Sequence, residues 1–186
     1  TRCLRSLCDQ TFEDFEVVVC DDGSTADLSG IVDTFSDRLT IRFFTSDNFG
    51  GPARPRNLGI NKAQSKYVAF LDSDDWWLPR KLEFSVSHLE AGADLVYHPL
   101  LAFPRYWWAF WKPRIVKARS LSKSAFEDLL VNGNGIINSS VVTHREIALK
   151  QGGFSEDVSL IASEDYEFWL RLAKSGCRFR RIPYPL

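Results

Sequence analysis

Apolar and polar positions along the chain alternate between two rhythms. Phe15-Glu16-Val17-Val18-Val19-Cys20 is β-branched and nearly all apolar, and it stops at Asp21-Asp22-Gly23-Ser24. A run of that kind, bounded by turn residues, predicts a buried strand. Ala26 to Ser36 then carries Leu28, Ile31, Val32 and Phe35 at helical spacing. Leu39 to Phe44 reads as a second strand. A Gly/Pro-rich loop at 48–52 leads to a helix from Ala53 to Ala63, and Tyr67 to Leu71 reads as another buried strand, ended by Asp72-Ser73-Asp74-Asp75. Pro79 suits the first turn of a helix running to Glu90. Asp94 to Tyr97 is a short strand. Arg2 to Gln10 has the look of a helix end at the front of this series.

After Pro99 the rhythm breaks, and it resumes with a helix over Ser124–Val131 and a strand over Ile136–Val142. A helix over His144–Lys150, a loop at Gly152-Gly153-Phe154 and a helix over Glu164–Lys174 follow. Strands that alternate with helices imply βαβ units. The expectation is one α/β domain over 1–186, with a mostly parallel central sheet flanked by helices.

Composition narrows the class. Of 186 residues, 45% are hydrophobic and 25% charged, with a net charge of −1. That excludes a disordered or collagen-like chain, and gives no electrostatic argument for nucleic acid. No run approaches the ~18–20 apolar residues of a membrane-spanning helix. The cysteines, Cys3, Cys8, Cys20 and Cys177, form no CxxC pair, which suits reduced thiols and a cytoplasmic setting. The chain begins at Thr1 and has no methionine, so it is expected to be a segment of a longer protein.

The chemistry lies in where the carboxylates fall. Asp21-Asp22 and Asp72-Ser73-Asp74-Asp75 each follow an expected parallel strand, and open α/β sheets bind ligands outside the carboxyl ends of their strands. Neighbouring carboxylates raise each other's pKa unless a cation offsets them. Mg²⁺ or Mn²⁺ is such a cation, and it commonly also binds substrate phosphates. Turn residues are the plain alternative, above all for Asp21-Asp22-Gly23. An EF-hand starting at Asp72 is excluded, because Trp76 and Trp77 stand where a ligand and the sharp-turn glycine belong. An Asp-x-Asp after a strand also fits a phosphotransferase, although Trp76 departs from that pattern. No GxGxxG and no Walker lysine occurs. Arg54 and Arg56 open a helix beside the Gly-rich loop, where backbone N–H groups favour phosphate. The three histidines have no ligand-like spacing.

Five motifs in order carry a resemblance. Asp9-Gln10-Thr11-Phe12 with Phe15–Thr25 resembles the opening of family 2 glycosyltransferases of the GT-A fold. Gly50-Gly51-Pro52-Ala53 with Arg56-Asn57-Leu58-Gly59-Ile60 is similar to the family's Gly-rich and Ala-Arg-Asn-x-Gly segment. Phe70–Asp75 resembles its DxD motif. Gly152–Glu156 and Ser163–Arg171 match its later motifs. The resemblance implies inverting transfer of a sugar from a nucleotide-diphosphate sugar, UDP-linked in the first instance, to a saccharide or lipid-linked acceptor. It places Asp21 and Asp22 at the nucleotide, Arg56 near the base or diphosphate, and Asp72 near the ribose. Asp74, with Asp72, becomes the metal site, Asp165 the general base and Glu164 its helper or cap. Two departures stand out: Pro55 replaces the usual Ala, and the family's first apolar strand is absent before Thr1. Other expectations are a metal-dependent nucleotidyl- or phosphotransferase, or a non-catalytic nucleotide-sugar-binding fragment.

Residues 103–111 hold six aromatics among nine residues, and between Asp94 and Glu127 every charged side chain is basic. Trp, Tyr, Lys and Arg together suit the surface of an anionic membrane. Peripheral contact with the inner face of the membrane through 103–119 is therefore expected, with burial in the core or an acceptor platform as alternatives.

Overall fold

The computed structural model describes residues 1–103 and 113–186. Most of the expected aromatic segment therefore lies outside the described residues. The elements run α1 (Arg2–Cys8), β1 (Val17–Asp21), α2 (Ser29–Asp33), β2 (Ile41–Thr45), α3 (Ala53–Lys62), β3 (Tyr67–Ala69), α4 (Lys81–Glu90), β4 (Leu95–Tyr97), β5 (Leu100–Ala102), β6 (Arg114–Val116), α5 (Ala125–Asn132), β7 (Val142–His144), α6 (Arg145–Lys150), α7 (Glu164–Lys174) and β8 (Phe179–Arg181). The α/β class is as expected. β1 and β2 pair in parallel, and β4 and β8 pair in parallel.

One strand breaks the parallel pattern. β7 lies between β3 and β4 and runs antiparallel to both. The sequence pattern places this strand at 136–142. In the structure, the chain there makes a 3₁₀ turn at Asn138–Ser140 before β7 begins at Val142. The cause is local. Ser140 Oγ donates to the Ile137 carbonyl at 2.6 Å, and such side-chain bonds compete with a sheet ladder. Two further elements depart from expectation. β5 and β6 form an antiparallel hairpin where the rhythm breaks, and β8 is too short to leave a periodic trace.

Tertiary contacts explain some of the motif residues. Gln10 is buried; its amide nitrogen donates to the carbonyls of Ser6 and Leu78, and its oxygen accepts from Leu82 N–H. It thereby links the end of α1 to an orphan N–H in the first turn of α4. The main core lies between the four-stranded sheet and α5, α6 and α7, and contains Ile60, Phe70, Leu95, Leu129, Phe154, Phe168 and Trp169. Phe154 packs against Phe70 and Phe168 at centroid distances of 5.1 and 4.7 Å. All four cysteines are free, and burial pushes the Cys3 and Cys20 thiols up to about 11, as suits inert packing residues. No helix among the described residues is long and apolar enough to cross a membrane.

Between α4 and β4 lies an unusual polar pair. Lys81 is fully buried, with Nζ 3.9 Å from the centroid of the Trp77 ring and no hydrogen-bond partner among the described residues. Burial holds its pKa well below the ordinary value. His98 is also buried, and its Nδ1 lies 2.9 Å from the Pro99 carbonyl oxygen. A carbonyl only accepts, so Nδ1 carries the proton and Nε2 is left as a bare acceptor. Burial, reinforced by Lys81, pushes the His98 pKa down to about 3. The folded state thus prefers neutral His98, while the unfolded chain titrates near 6.5. This contribution to stability is complete above pH 6.5 and is lost as pH falls towards 3, at up to about 1.4 kcal/mol per pH unit. Urea denaturation across that window should show His98→Gln losing less stability on acidification than the wild-type protein. Parallel pH curves for the two would refute a neutral, buried His98.

Candidate active site

The carboxylates singled out from the sequence gather at the carboxyl ends of β1 and β3. Arg56, in the first turns of α3, is the hub between Asp72 and Glu164. Its Nη2 lies 2.9 Å from Asp72 Oδ1 and its Nη1 lies 2.8 Å from Glu164 Oε1. The guanidinium also lies over the Phe154 ring, 5.3 Å from its centroid. The Arg56 side chain is 14% exposed and that of Glu164 only 6%. Both terminal nitrogens of Arg56 are thus engaged by carboxylates. Glu164 is correspondingly an interior ion-pair partner, and not a solvated first-turn acid.

The two motifs that flank this hub are tied to each other. Asn57 Oδ1 accepts from Phe154 N–H at 2.8 Å, and its Nδ2 donates to the Phe154 carbonyl at 2.8 Å and to Glu156 Oε1 at 3.0 Å. Gly153 turns the chain into that contact with φ +69°, and a Cβ there would sit 2.3 Å from Asn57 Oδ1. Only glycine meets both conditions.

The first acidic pair serves loop architecture. Asp21 accepts from Ser24 N–H and Ser24 Oγ, so it caps its own turn. Asp22 accepts from Phe49 N–H at 3.0 Å and Gly50 N–H at 3.2 Å, and so shapes the Gly-rich loop. Both oxygens of each carboxylate accept from protein N–H groups. Gly23, with φ +74°, lets the two loops meet, since a Cβ there would lie 2.8 Å from Asn48 N.

The second cluster is different. Asp74 is exposed and has no protein partner among the described residues. Asp72 offers one free oxygen, because Oδ1 takes both Arg56 and the Asn138 amide, the latter at 3.1 Å. Burial, then the charges of Asp74 and Asp72, raises the pKa of Asp75, while the Ser139 hydroxyl opposes the rise. Arg56 offsets only Asp72 of this acidic turn, whose hard oxygen donors fit Mg²⁺ or Mn²⁺. No group of three His, Cys, Asp or Glu side chains among the described residues forms a ready-made cage. Two carboxylates with waters and phosphate oxygens are the usual arrangement for Mg²⁺.

Asp165, in the first turn of α7, has a pKa raised by burial and by Glu164, against the opposing effects of Tyr166 N–H, Arg56 and Asn134. Its Oδ1 accepts from Tyr166 N–H at 2.6 Å and from Asn134 Nδ2 at 3.4 Å. Asn134, Asn138 and Ser139 are site residues that sequence reasoning missed. Asn138 and Ser139 lie in the segment read as a strand over 136–142, where the one available hint was three short polar residues, Asn138-Ser139-Ser140, and Asn134 lies just ahead of it.

Removing one partner of a buried pair leaves an uncompensated charge. Arg56→Met should lower stability by about 3–5 kcal/mol in chemical denaturation. Adding Glu164→Gln should restore most of that loss. A single variant as stable as wild type would show that Arg56 is not the hub.

Several known proteins resemble this chain. Over 178 residues the chain is 25% identical to the Escherichia coli UDP-Glc:α-D-GlcNAc-diphosphoundecaprenol β-1,3-glucosyltransferase WfaP, covering 95% of this chain and 66% of that protein. Staphylococcus aureus TarS 1–349 in complex with UDP-GlcNAc superposes with a TM-score of 0.74 at 22% identity, over 97% of this chain and 51% of TarS 1–349. The Pyrobaculum calidifontis mannosyltransferase PcManGT, in complex with GDP-Man and Mn²⁺, superposes with a TM-score of 0.70 at 21% identity, over 97% of this chain and 49% of PcManGT. The chain thus spans about half the length of these two structures, whose likeness establishes the GT-A fold. Residues 1–149 match glycosyl transferase family 2, and with the fold and the acidic turn in place the chain belongs to that family.

Proposed function

We propose that this domain transfers a sugar, with inversion, from a UDP-sugar to a hydroxyl of a saccharide or lipid-linked acceptor during the synthesis of a surface polysaccharide or glycolipid. The observation that carries the reading is a division of labour between two carboxylates. Asp74 is open and unpaired on a turn crowded with negative charge. Asp165 is largely desolvated, has a raised pKa, and keeps Oδ2 free of protein donors among the described residues. The first environment suits a cation and the second a proton acceptor. The names of WfaP, TarS and PcManGT, with their UDP- and GDP-sugars, support the same reading.

The chemistry follows from charge. Loss of a nucleoside diphosphate develops negative charge on the leaving group, and the acceptor hydroxyl must lose a proton as it attacks. Asp74, with the free oxygen of Asp72, would hold Mg²⁺ or Mn²⁺, which supplies positive charge at the diphosphate. Asp165 takes the acceptor's proton, a contribution typically worth ~10²–10⁴-fold. Arg56 and Glu164 fix the two ends relative to each other. The proposal extends to the membrane surface: β6 exposes Ile115, at 53%, and Val116 beside exposed Arg114 and Lys117, a pattern that suits an anionic interface at the inner face of the membrane.

Asp165→Asn should lower transfer from a UDP-sugar by at least ~10²-fold and leave UDP affinity, read by calorimetry, within about twofold. Near-normal turnover in that variant would remove Asp165 from the base role. A base must be ionised to act, and the Asp165 pKa is raised. The acidic limb of kcat/KM should therefore lie above the ordinary aspartate range, and a limb at or below that range would contradict the assignment. Asp74→Asn should abolish the dependence of UDP affinity on Mn²⁺. Retention of that dependence would place the cation elsewhere.

A further inference from the structure

One short segment touches both ends of this site. Asn134 and Asn138 lie four residues apart, with Ile136 between them buried in the core. The orientation of the Asn134 amide is determined by its surroundings: Oδ1 accepts from Ile136 N–H at 3.0 Å, which turns Nδ2 towards Asp165 Oδ1. At the other end, Asn138 Nδ2 donates to Asp72 Oδ1. The next residue anchors the same acidic turn twice more. Asp72 N–H donates to Ser139 Oγ at 3.1 Å, and Trp77 Nε1 donates to the Ser139 carbonyl at 2.7 Å.

The segment is itself held from behind. Gly133, with φ +73°, ends α5, and its carbonyl accepts from Arg119 Nη2 at 2.8 Å. Gly135 lets Arg119 approach, since a Cβ there would sit 2.8 Å from Arg119 Cβ. Arg119 is in turn paired with Asp128. The span from 134 to 139 is thus a braced spacer between the acidic turn and the start of α7.

The same arrangement occurs at both carboxylates. Asp72 Oδ1 takes a guanidinium and the Asn138 amide, while Asp165 Oδ1 takes a backbone N–H and the Asn134 amide. In each case Oδ1 is occupied by protein donors and Oδ2 has none among the described residues. We propose that Asn134 and Asn138 are positioning residues which each occupy one oxygen of an essential carboxylate and aim the other into the site: Asp165 Oδ2 at the acceptor hydroxyl and Asp72 Oδ2 at the cation that would bind the donor diphosphate. The proposal rests on the glycosyltransferase reading. It adds that the distance between donor and base is set by the 134–139 segment. A carboxylate free to rotate would spend part of its time with neither oxygen aligned, and misplacement on that scale is costly to turnover.

Isosteric replacement tests this without opening a cavity. Asn134→Asp keeps the acceptor for Ile136 N–H and exchanges only the donor facing Asp165 for a repelling oxygen. Asn138→Asp does the same at Asp72. The experiment measures kcat, KM and UDP affinity in the presence of Mn²⁺ on the full chain, with thermal melting as the check on folding. Asn134→Asp should lower kcat at least ~10-fold with UDP affinity within about twofold, and Asn138→Asp should weaken UDP affinity ~10-fold with a much smaller change in kcat. If either aspartate variant fails to melt cooperatively, the corresponding alanine variant must show the same split. Equal effects on kcat and affinity at both positions, or no effect at either, would overturn the proposal while leaving the function intact. A wild-type chain that binds no UDP and transfers no sugar would overturn the underlying reading, and this inference with it.

Discussion

The interior ion pair of Arg56 with Glu164 is the constraint on which the site depends. A buried carboxylate is tolerated only when paired and hydrogen-bonded. Glu164 obtains its partner from α3, a helix whose own position depends on the Gly-rich loop that Asp22 shapes. The same guanidinium then holds Asp72. One cation therefore joins a strand end, a loop, and the starts of two helices. Beneath it, Phe154 provides an apolar floor that continues through Phe168 and Trp169 into the main core. The polar site and the hydrophobic core are in this sense one packed object, since a shift in either displaces the other.

The sequence disclosed the parts of the site that lie close together in the chain. A β-branched run stopping at Asp21-Asp22, and an apolar run at Tyr67–Leu71 followed by three aspartates in four residues, each mark a strand end with an acidic turn, and these features depend on local periodicity and local charge. The helices α3, α4, α6 and α7 were legible for the same reason, through apolar spacing and a proline near a first turn. What stayed hidden was set by distant partners. The antiparallel course of β7 follows from insertion between β3 and β4, which no local period encodes. Asn134 and Asn138 carry no functional signal until Asp165 and Asp72 arrive opposite them. Arg56 illustrates the limit in another way: its two carboxylate partners, Asp72 and Glu164, lie 16 and 108 residues away, and no local pattern announces them.

The motif residues also separate by task. Asp21, Asp22, Gly23, Asn57 and Gly153 shape backbone, and their side chains or their lack of one are committed to loop closure. Asp74, Asp165 and the open oxygen of Asp72 face outward with capacity to spare. A motif shared through a family thus mixes residues that build the site with residues that act in it, and hydrogen-bond occupancy tells the two apart.

The pairing of Asn57 with Phe154 joins residues 97 positions apart, and the Arg56–Glu164 bridge joins residues 108 apart. Closing loops of that length carries an entropic penalty that must be met before the contacts can repay it. The two halves of the site therefore cannot meet while the chain is still emerging or only partly collapsed. The assembled site would appear late in folding, after the central sheet is in place. The domain would then have no half-built state in which the acidic turn and the base are aligned before the interior that supports them is complete.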